Sequence, residues 1–328
     1  MIVPHTLELT MDADKDTFHR WRDSVRGNMT YNDIENKDFA LVKDGVTVWY
    51  HKTEFKTKIK LHVNPSKALG LDDLVKLWKP SHKNIVDFLT TLDELIGSYF
   101  DDEYGIKDFK LTRIDFTKNI HLDDSKKVSA YIRFMHNIRK VKGFSPKDWR
   151  HYEDYDEDLS FDLEGNSNGV EFTAYDKAAA LRNQNEKKER LEKAKGILRV
   201  EVKLTTQKAI RGYTDEVNTV DRIGKLCEQS KEIFLETFFR VMPFGDLYRK
   251  DKVVKIVQEN VTDKHLKRKM LRLVELIHKK KSLYLAQKEL NDRNIDRIME
   301  EFYKHNVSPV CISKRHDIKH LKSLYTFI

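Results

Sequence analysis

The spacing of hydrophobic residues changes along this chain, and that change most constrains its fold. Up to about residue 205, several segments alternate apolar and polar residues, as half-buried β-strands do. The clearest are TKIKLHV (57–63), LTRIDFTKNI (111–120), VEFTAY (170–175) and ILRVEVKL (197–204). After about Thr214 the alternation largely disappears, and apolar residues recur at the spacing of amphipathic helices. We therefore predict an α+β fold with a central antiparallel sheet and flanking helices, followed by a helical C-terminal domain.

Two domains are expected for a chain of 328 residues with this change of pattern. We place the sheet-containing domain at residues 1–214 and the helical domain at residues 215–328. Within the first domain, the segment FALVKDGVTVWYH (39–51) predicts a β-hairpin, because Asp44-Gly45 at its centre is typical of a tight turn.

Positive charge is concentrated in the helical part. The formal net charge is +8, and the excess of Lys and Arg lies after residue 245. A basic segment beside a nearly neutral one favours a polyanionic partner, most simply nucleic acid. A solvated lysine-rich surface is the alternative. The phosphate-binding pattern GxxxxGK[ST] is absent from the sequence, so no intrinsic ATPase or helicase activity is expected.

Cysteine content and hydropathy indicate in which cellular compartment the protein is expected. Cys227 and Cys311 are too few for a disulfide framework or a cysteine-rich metal site. The first residues lack the basic start and apolar run of a signal peptide. No window approaches the ~20 apolar residues of a membrane span. We expect a soluble, cytoplasmic protein with no membrane partner.

One helical pattern, KHLKRKMLRLVELIHKKK at residues 264–281, is strongly basic. Its apolar stripe predicts a packed helix and consists of Leu266, Met270, Leu273, Val274 and Ile277. The basic residues outside the stripe are predicted to contact DNA phosphates. They are Lys264, Lys267, Arg268, Lys269, Arg272, Lys279, Lys280 and Lys281. A helix that binds a protein partner, or is simply solvated, is the alternative.

Three of the predicted strands carry charged residues on their polar faces. These residues are Arg113 and Asp115, Glu171 and Tyr175, and Arg199 and Glu201. Arginines paired with acids can mark a covered polar site, because buried charges must be compensated. Such a face could hold a divalent cation on two carboxylates, attack phosphorus with a tyrosine oxygen, and neutralise phosphoryl charge with arginines. Cross-strand salt bridges on an exposed face are the alternative.

The order of these segments and their sequence motifs resemble those of the rolling-circle replication initiators typified by the gene II protein of filamentous phages. Relatives occur among phage and plasmid replication proteins of Gram-positive bacteria. LHVNPSKALG (61–70) resembles a family strand ending in Asn/Ser-Pro, and LTRIDFTKNI resembles the family's RID strand. VEFTAYDK (170–177) resembles its strand ending in Tyr-x-Lys, and ILRVEVKL its R-x-E strand. The resemblance covers residues from about 59 to 210 and a C-terminal P-x-x-I segment.

The resemblance implies a DNA nicking-closing endonuclease with a Rep nickase-like sheet. Tyr175 would attack one strand at an origin, stay linked to the 5′ phosphate and leave a 3′-hydroxyl. It would later reverse the step and close the displaced circle. Lys177, Arg113 and Arg199 would contact phosphate. The expected partners are origin duplex and single-stranded DNA, with a host helicase and a polymerase as further candidates.

A divalent cation, Mg²⁺ or Mn²⁺, is also implied. The wider superfamily of nickases often binds metal with two histidines that flank one apolar residue, and this chain has no such pair. The expected ligands are therefore Asp115 and Glu201, with His62 as a third. Asp115 and Glu201 could instead orient Arg113 and Arg199.

Two rival functions are open at this point. A non-catalytic DNA-binding replication regulator would use the basic helices and keep the sheet as a scaffold. A relaxase or transposase would use the same tyrosine chemistry on another substrate.

Overall fold

A computed structural model describes residues 1–14, 16–17, 31–34, 38–43, 45–52, 57–71, 75, 77–100, 102–147, 159–314 and 317–328. The first six strands are β1 (Val3–Ala13), β2 (Tyr31–Ile34), β3 (Asp38–Lys43), β4 (Val46–Lys52), β5 (Thr57–Val63) and β6 (Lys110–His121). The others are β7 (Phe144–Pro146), β8 (Ser160–Gly165), β9 (Val170–Asp176), β10 (Ile197–Leu204), β11 (Leu247–Tyr248) and β12 (His320–Leu321).

The helices before residue 245 are α1 (Pro65–Ala68), α2 (His82–Tyr99), α3 (Ser125–Ile138), α4 (Lys177–Asn183), α5 (Lys188–Ala194), α6 (Gln207–Arg211), α7 (Thr219–Glu228) and α8 (Ser230–Val241). Those after it are α9 (Lys250–Asn260), α10 (Lys264–Lys280), α11 (Leu283–Leu290) and α12 (Ile295–Lys304). Antiparallel strands flanked by helices, with a helical C-terminal region, confirm the predicted α+β fold. None of the helices among the described residues has the length and apolar character needed to span a bilayer.

The chain divides into two compact units that are discontinuous in sequence. The first unit contains residues 1–117, 168–170 and 202–235. The second unit contains residues 118–167, 171–201 and 236–328. The division into a nicking domain at residues 1–214 and a helical DNA-binding or accessory domain at residues 215–328 stays a prediction.

In the first unit the strand order is β2-β3-β4-β5-β1-β6, and these neighbours pair antiparallel. The predicted hairpin corresponds to β3 and β4. Gly45 in its turn has φ 77°, which favours glycine, whereas Asp44 lies outside the described residues. Alternation in β1 and β5 places apolar side chains on one face of the sheet, and Leu7, Leu9 and Leu61 are completely buried.

Strand β1 was not recognised in the sequence, although it decides which polar residues meet. Its register places Glu8 opposite His62 of β5 on one side and opposite Arg113 of β6 on the other. The register with β6 shifts between Pro4 and Thr6, and again after Glu8. The polar face of this part of the sheet is therefore centred on Glu8.

In the second unit the strand order is β6-β10-β9-β8-β7, where β6 contributes residues from 118 onward, β9 from 171 onward and β10 up to 201. Strand β8 pairs antiparallel with β9 and places Ser160 opposite Tyr175. Phe161 and Phe172 of these strands are completely buried, with ring centroids 6.4 Å apart. Burying large apolar side chains contributes about 1.5–3 kcal/mol each, which fixes β9 against its neighbours.

Helix α10 has the predicted apolar stripe, and its five members are all buried. The helix begins after Asp263, whose carboxylate accepts the backbone N–H groups of His265 and Leu266. It ends at Lys281, which has the left-handed φ of 51°. The prediction that the apolar stripe of this basic helix is packed inside the protein is therefore confirmed. Its contacts with DNA stay a prediction.

Candidate active site

Tyr175 lies at the junction between a strand and a helix. Strand β9 ends at Asp176, whose carboxylate accepts the backbone N–H of Ala179 and caps helix α4. The cap stops the strand one residue after the tyrosine. Tyr175 is partly exposed.

The Tyr175 hydroxyl donates a hydrogen bond to Glu201 Oε1 at 2.8 Å. Glu201 lies on β10 and is only 6% exposed. Burial raises the pKa of Tyr175 well above its usual range, and the negative charge of Glu201 raises it further. The phenol is therefore protonated near neutral pH, and an acceptor for its proton is already in hydrogen-bond contact.

Arg199 lies beside this pair and is completely buried. It hydrogen bonds to the phenol and lowers the pKa of Tyr175, against the effects of burial and Glu201. Its Nε donates to Asn119 Oδ1 at 2.8 Å. Asn119 lies on β6 and was missed in the sequence. The sequence signal that could have identified Asn119 is its position on the same polar face of β6 as Arg113 and Asp115.

Lys177 is the first residue of α4 and is 7% exposed. A buried ammonium is costly unless polar groups compensate it. Its predicted contact with the same phosphate as Tyr175 stays a prediction.

A second constellation, the Glu8 cluster, lies in the first unit and consists of Glu8, Lys60, His62, Arg113 and Asp115. Arg113 donates to both oxygens of the buried Asp115, each at 2.7 Å. Its Nη1 lies 3.2 Å from Glu8 Oε1, and Lys60 Nζ lies 2.6 Å from Glu8 Oε2. Such charge-assisted bonds hold the Arg113 guanidinium in a fixed orientation.

The contacts within the cluster bear on the predicted metal ligands. Among the residues that the structure describes, no group of three or more His, Cys, Asp or Glu side chains is arranged to hold a metal ion. Both oxygens of Asp115 accept from Arg113, and Glu201 accepts from Tyr175. The arrangement does not form a ready ligand set, and it fits the alternative role of Asp115, which is to orient Arg113. The ligand roles of His62, Asp115 and Glu201 stay predictions.

His62 is expected to titrate below the ordinary histidine value. Burial lowers its pKa from 6.5, Arg113 and Lys60 lower it further, and Glu8 opposes them. Because the unfolded chain then binds the proton more readily, protonation of His62 destabilises the fold as the pH falls below about 6.5. In an NMR titration, Glu8→Gln should lower the His62 pKa further, since it removes the only one of these charges that raises it.

The control for this titration is Glu164→Gln, which changes a carboxylate on β8. It should leave the His62 curve unchanged, and the spectrum of His62→Gln assigns the resonance. A His62 pKa at or above 6.5 in the parent, or a rise in Glu8→Gln, would contradict the electrostatic account.

Some basic residues of α10 contact other parts of the chain, and several are exposed. Lys267 donates to the backbone of Gln258, and Lys269 and Lys280 pair with Asp292 and Glu289. The exposed members of the predicted set are Lys264, Arg268, Arg272, Lys279, Lys280 and Lys281. Lys264, Arg268 and Arg272 follow one another at four-residue spacing and share one face of the helix. That face is the better candidate for phosphate contacts.

Comparison with known families decides the classification. Residues 19–221 match the family model for the N-terminal part of a phage replication-associated protein, the gene II protein. The chain belongs to this family of rolling-circle replication initiators. The matched range includes the Tyr175 site and most of the Glu8 cluster. It ends within α7, before the basic helices.

Among solved structures similar to this chain is a replication initiator. It is a rolling circle replication initiator protein from Geobacillus stearothermophilus. The two share 10% sequence identity over 80% of this chain and 89% of that chain, with a TM-score of 0.34. A similarity this low carries no argument about the site. A comparison with curated proteins finds no match.

Proposed function

We propose that this rolling-circle replication initiator nicks and rejoins one DNA strand at an origin through a 5′-phosphotyrosine at Tyr175. The observation that supports the proposal most is the hydrogen bond from the Tyr175 phenol to the buried Glu201, beside Arg199. A neutral phenol is a weak nucleophile, and an adjacent base activates it. Membership of the initiator family supports the choice of DNA as the substrate.

In the proposed reaction, Tyr175 Oη forms a bond to phosphorus while the bond from phosphorus to the 3′ oxygen breaks. Glu201 takes the phenolic proton as general base and returns a proton to the departing 3′ oxygen as general acid. The products are a 5′-phosphotyrosine and a free 3′-hydroxyl. Closing the circle is the same reaction in reverse, with the 3′-hydroxyl as nucleophile and Tyr175 as leaving group.

Arg199 has a defined part in this scheme. Its guanidinium hydrogen bonds to the phenol oxygen, so it stabilises the negative charge that develops there as the proton leaves. Asn119 holds the Nε of Arg199 and is a positioning residue. We also propose that Arg113, oriented by Asp115 and Glu8, and Lys177 contact phosphate groups of the bound strand.

The proposed cofactor is Mg²⁺ or Mn²⁺, which would polarise a phosphate oxygen when bound. Its support is family resemblance, because the carboxylates of Asp115, Glu8 and Glu201 are engaged by Arg113, Lys60 and Tyr175, respectively. The proton transfer from Tyr175 to Glu201 does not depend on the ion.

The experiment that tests the function is a search for the covalent intermediate. The protein is incubated with supercoiled plasmid carrying DNA from its own replicon, with Mg²⁺ or Mn²⁺. Nicked circles with covalently attached protein are expected, and mass spectrometry should find a nucleotide on the peptide that contains Tyr175. An adduct on another tyrosine would refute the assignment. Salt-sensitive DNA binding without any adduct would favour the non-catalytic regulator.

Helix α10 is proposed to bind the phosphate backbone of the origin duplex. Replacing Lys264, Arg268 and Arg272 by glutamine should weaken DNA binding and reduce the slope of log K against log salt by about one per lost contact. Binding is measured by fluorescence anisotropy at several salt concentrations. Lys252→Gln on the neighbouring helix α9 is the control and should leave the slope unchanged. An unchanged slope in the triple variant would remove α10 from the interface.

A further inference from the structure

A cavity of about 900 Å³ lies between α2 and α7 in the first unit. We call it the α2–α7 groove. Its apolar lining includes Ile85, Val86 and Leu89 of α2 and Val220 of α7. Val86 is 48% exposed although it is a large aliphatic residue on a helix. The groove is as large as typical ligand-binding clefts, which measure about 300–1,000 Å³.

Gly224 lies in the interior of α7 and lines this groove. A glycine in a helix interior costs about 1 kcal/mol relative to alanine. Among the described residues, the nearest atom that a Cβ at this position would meet is Leu89 Cδ1, at 3.9 Å, which is an ordinary contact. The packing of this chain therefore does not require glycine here. The absence of a side chain at this position leaves space in the groove for the side chains of a binding partner that contacts α7.

The rim of the groove is acidic, in contrast to the positive charge of the whole chain. Glu94, Asp221 and Glu228 line it and are exposed, and Lys225 is the lysine among the lining residues. The chain as a whole carries a net charge of +8. An acidic rim repels DNA phosphates and attracts cationic side chains. The groove is thus suited to a different partner from the one that binds the basic helices.

We propose that the α2–α7 groove docks an amphipathic helix of a partner protein. The helix would place aliphatic side chains on the apolar floor, over Gly224, and lysine or arginine side chains against the acidic rim. An apolar floor with flanking charges is the common way in which grooves bind helices. The proposal does not depend on the nicking chemistry, because the groove contains no residue of the Tyr175 site or the Glu8 cluster.

The test uses two labelled peptides of identical composition. One places leucines at i, i+3, i+4 and i+7 with lysines on the flanks, and the other scrambles the order so that no apolar face forms. In fluorescence anisotropy with the 328-residue chain, the amphipathic peptide should bind about ten-fold tighter than the scrambled one. Combining Glu94→Gln with Asp221→Asn should weaken its binding about five-fold, because the rim loses two charges.

Gly224 provides a matched pair of variants. Gly224→Leu should abolish binding of the amphipathic peptide, because the new side chain fills the floor of the groove. Gly224→Ala should keep the affinity within about two-fold, since its Cβ makes an ordinary contact. Leucine and alanine both have a higher helix propensity than glycine. Neither variant should therefore melt at a lower temperature than the parent.

Three results would overturn the proposal. The first is equal binding of the scrambled and amphipathic peptides, and the second is undiminished binding by Gly224→Leu. The third is a concentration-dependent dimer of the parent in analytical ultracentrifugation that Gly224→Leu abolishes. That result would assign the groove to a second copy of this chain.

Discussion

Replacing Tyr175 by phenylalanine is expected to abolish DNA nicking and the covalent adduct while DNA binding stays within about two-fold of the parent. Phenylalanine keeps the ring that packs at the end of β9 and removes only the oxygen that would attack phosphorus. Loss of a catalytic nucleophile typically lowers the rate by about 10⁴ or more, below the detection limit of a plasmid nicking assay. The measurement is the rate at which supercoiled plasmid is converted to nicked circles.

The variant also loses the hydrogen bond to Glu201, so its stability must be measured beside its activity. Leaving the buried Glu201 carboxylate without this donor should cost about 1–3 kcal/mol, visible as a lower melting temperature in circular dichroism. Tyr284→Phe is the matched control, because Tyr284 is a partly exposed tyrosine on α11 that lies against Lys140 and Lys288. If Tyr175→Phe is folded and nicks as fast as Tyr284→Phe, Tyr175 is not the nucleophile.

The strands that carry the site could be predicted because each has one buried apolar face. In β5 and β10, period-two alternation survives in the sequence, and the apolar members of both strands are buried. Strand β1 has the same alternation in Leu7, Leu9 and Met11, but its first residues include a proline and a register shift. The missed strand explains the missed Glu8.

The segment after Tyr175 shows how a helix break escapes a reading of the sequence. The run of helix-forming residues from Asp176 to Lys195 favours a single charged helix, whereas the chain forms α4 and α5 with a break between them. Asn185 in the break has φ 54°, a left-handed conformation that asparagine tolerates better than most residues. A run of residues with high helix propensity gives no sign of such a break. The propensity is summed over the whole run, whereas a single residue can end the helix.

The partners within the site could not be predicted from alternation. Alternation assigns Tyr175, Arg199 and Glu201 to polar faces, but the register between strands decides which side chains touch. Tyr175 and Glu201 are separated by 26 positions in sequence, and no local pattern encodes their contact. The sequence therefore suggested Glu201 as a metal ligand, and its hydrogen bond to the phenol adds the role of proton acceptor.

Replacing Glu201 by glutamine is expected to slow nicking by about 10²–10⁴-fold, because the amide cannot accept the phenolic proton. Glutamine is nearly isosteric and removes the negative charge that helps to raise the pKa of Tyr175. The phenol of the variant should therefore ionise at lower pH than that of the parent. Its nicking rate should rise with pH up to the new pKa of Tyr175, whereas the parent, in which a carboxylate already accepts the phenolic hydrogen bond, should depend less steeply on pH in that range.

Glu171→Gln is the matched control for this variant. Glu171 is a carboxylate on the same face of β9 as Tyr175, but it pairs with Lys147 at 2.8 Å. The control should nick at nearly the parental rate with the parental pH profile. A Glu201→Gln protein that nicks like the control would remove Glu201 from the mechanism.

The same variant separates a base from a metal ligand. A lost ligand weakens ion binding, so a higher Mg²⁺ or Mn²⁺ concentration should restore the rate of Glu201→Gln if Glu201 holds the cation. If Glu201 is instead the base, the nicking rate of Glu201→Gln should stay low even at a saturating Mg²⁺ or Mn²⁺ concentration. Only a higher pH should then restore the rate, because hydroxide removes the phenolic proton. We expect compensation by pH and not by metal, since one carboxylate oxygen of Glu201 already accepts the phenolic hydrogen bond at 2.8 Å.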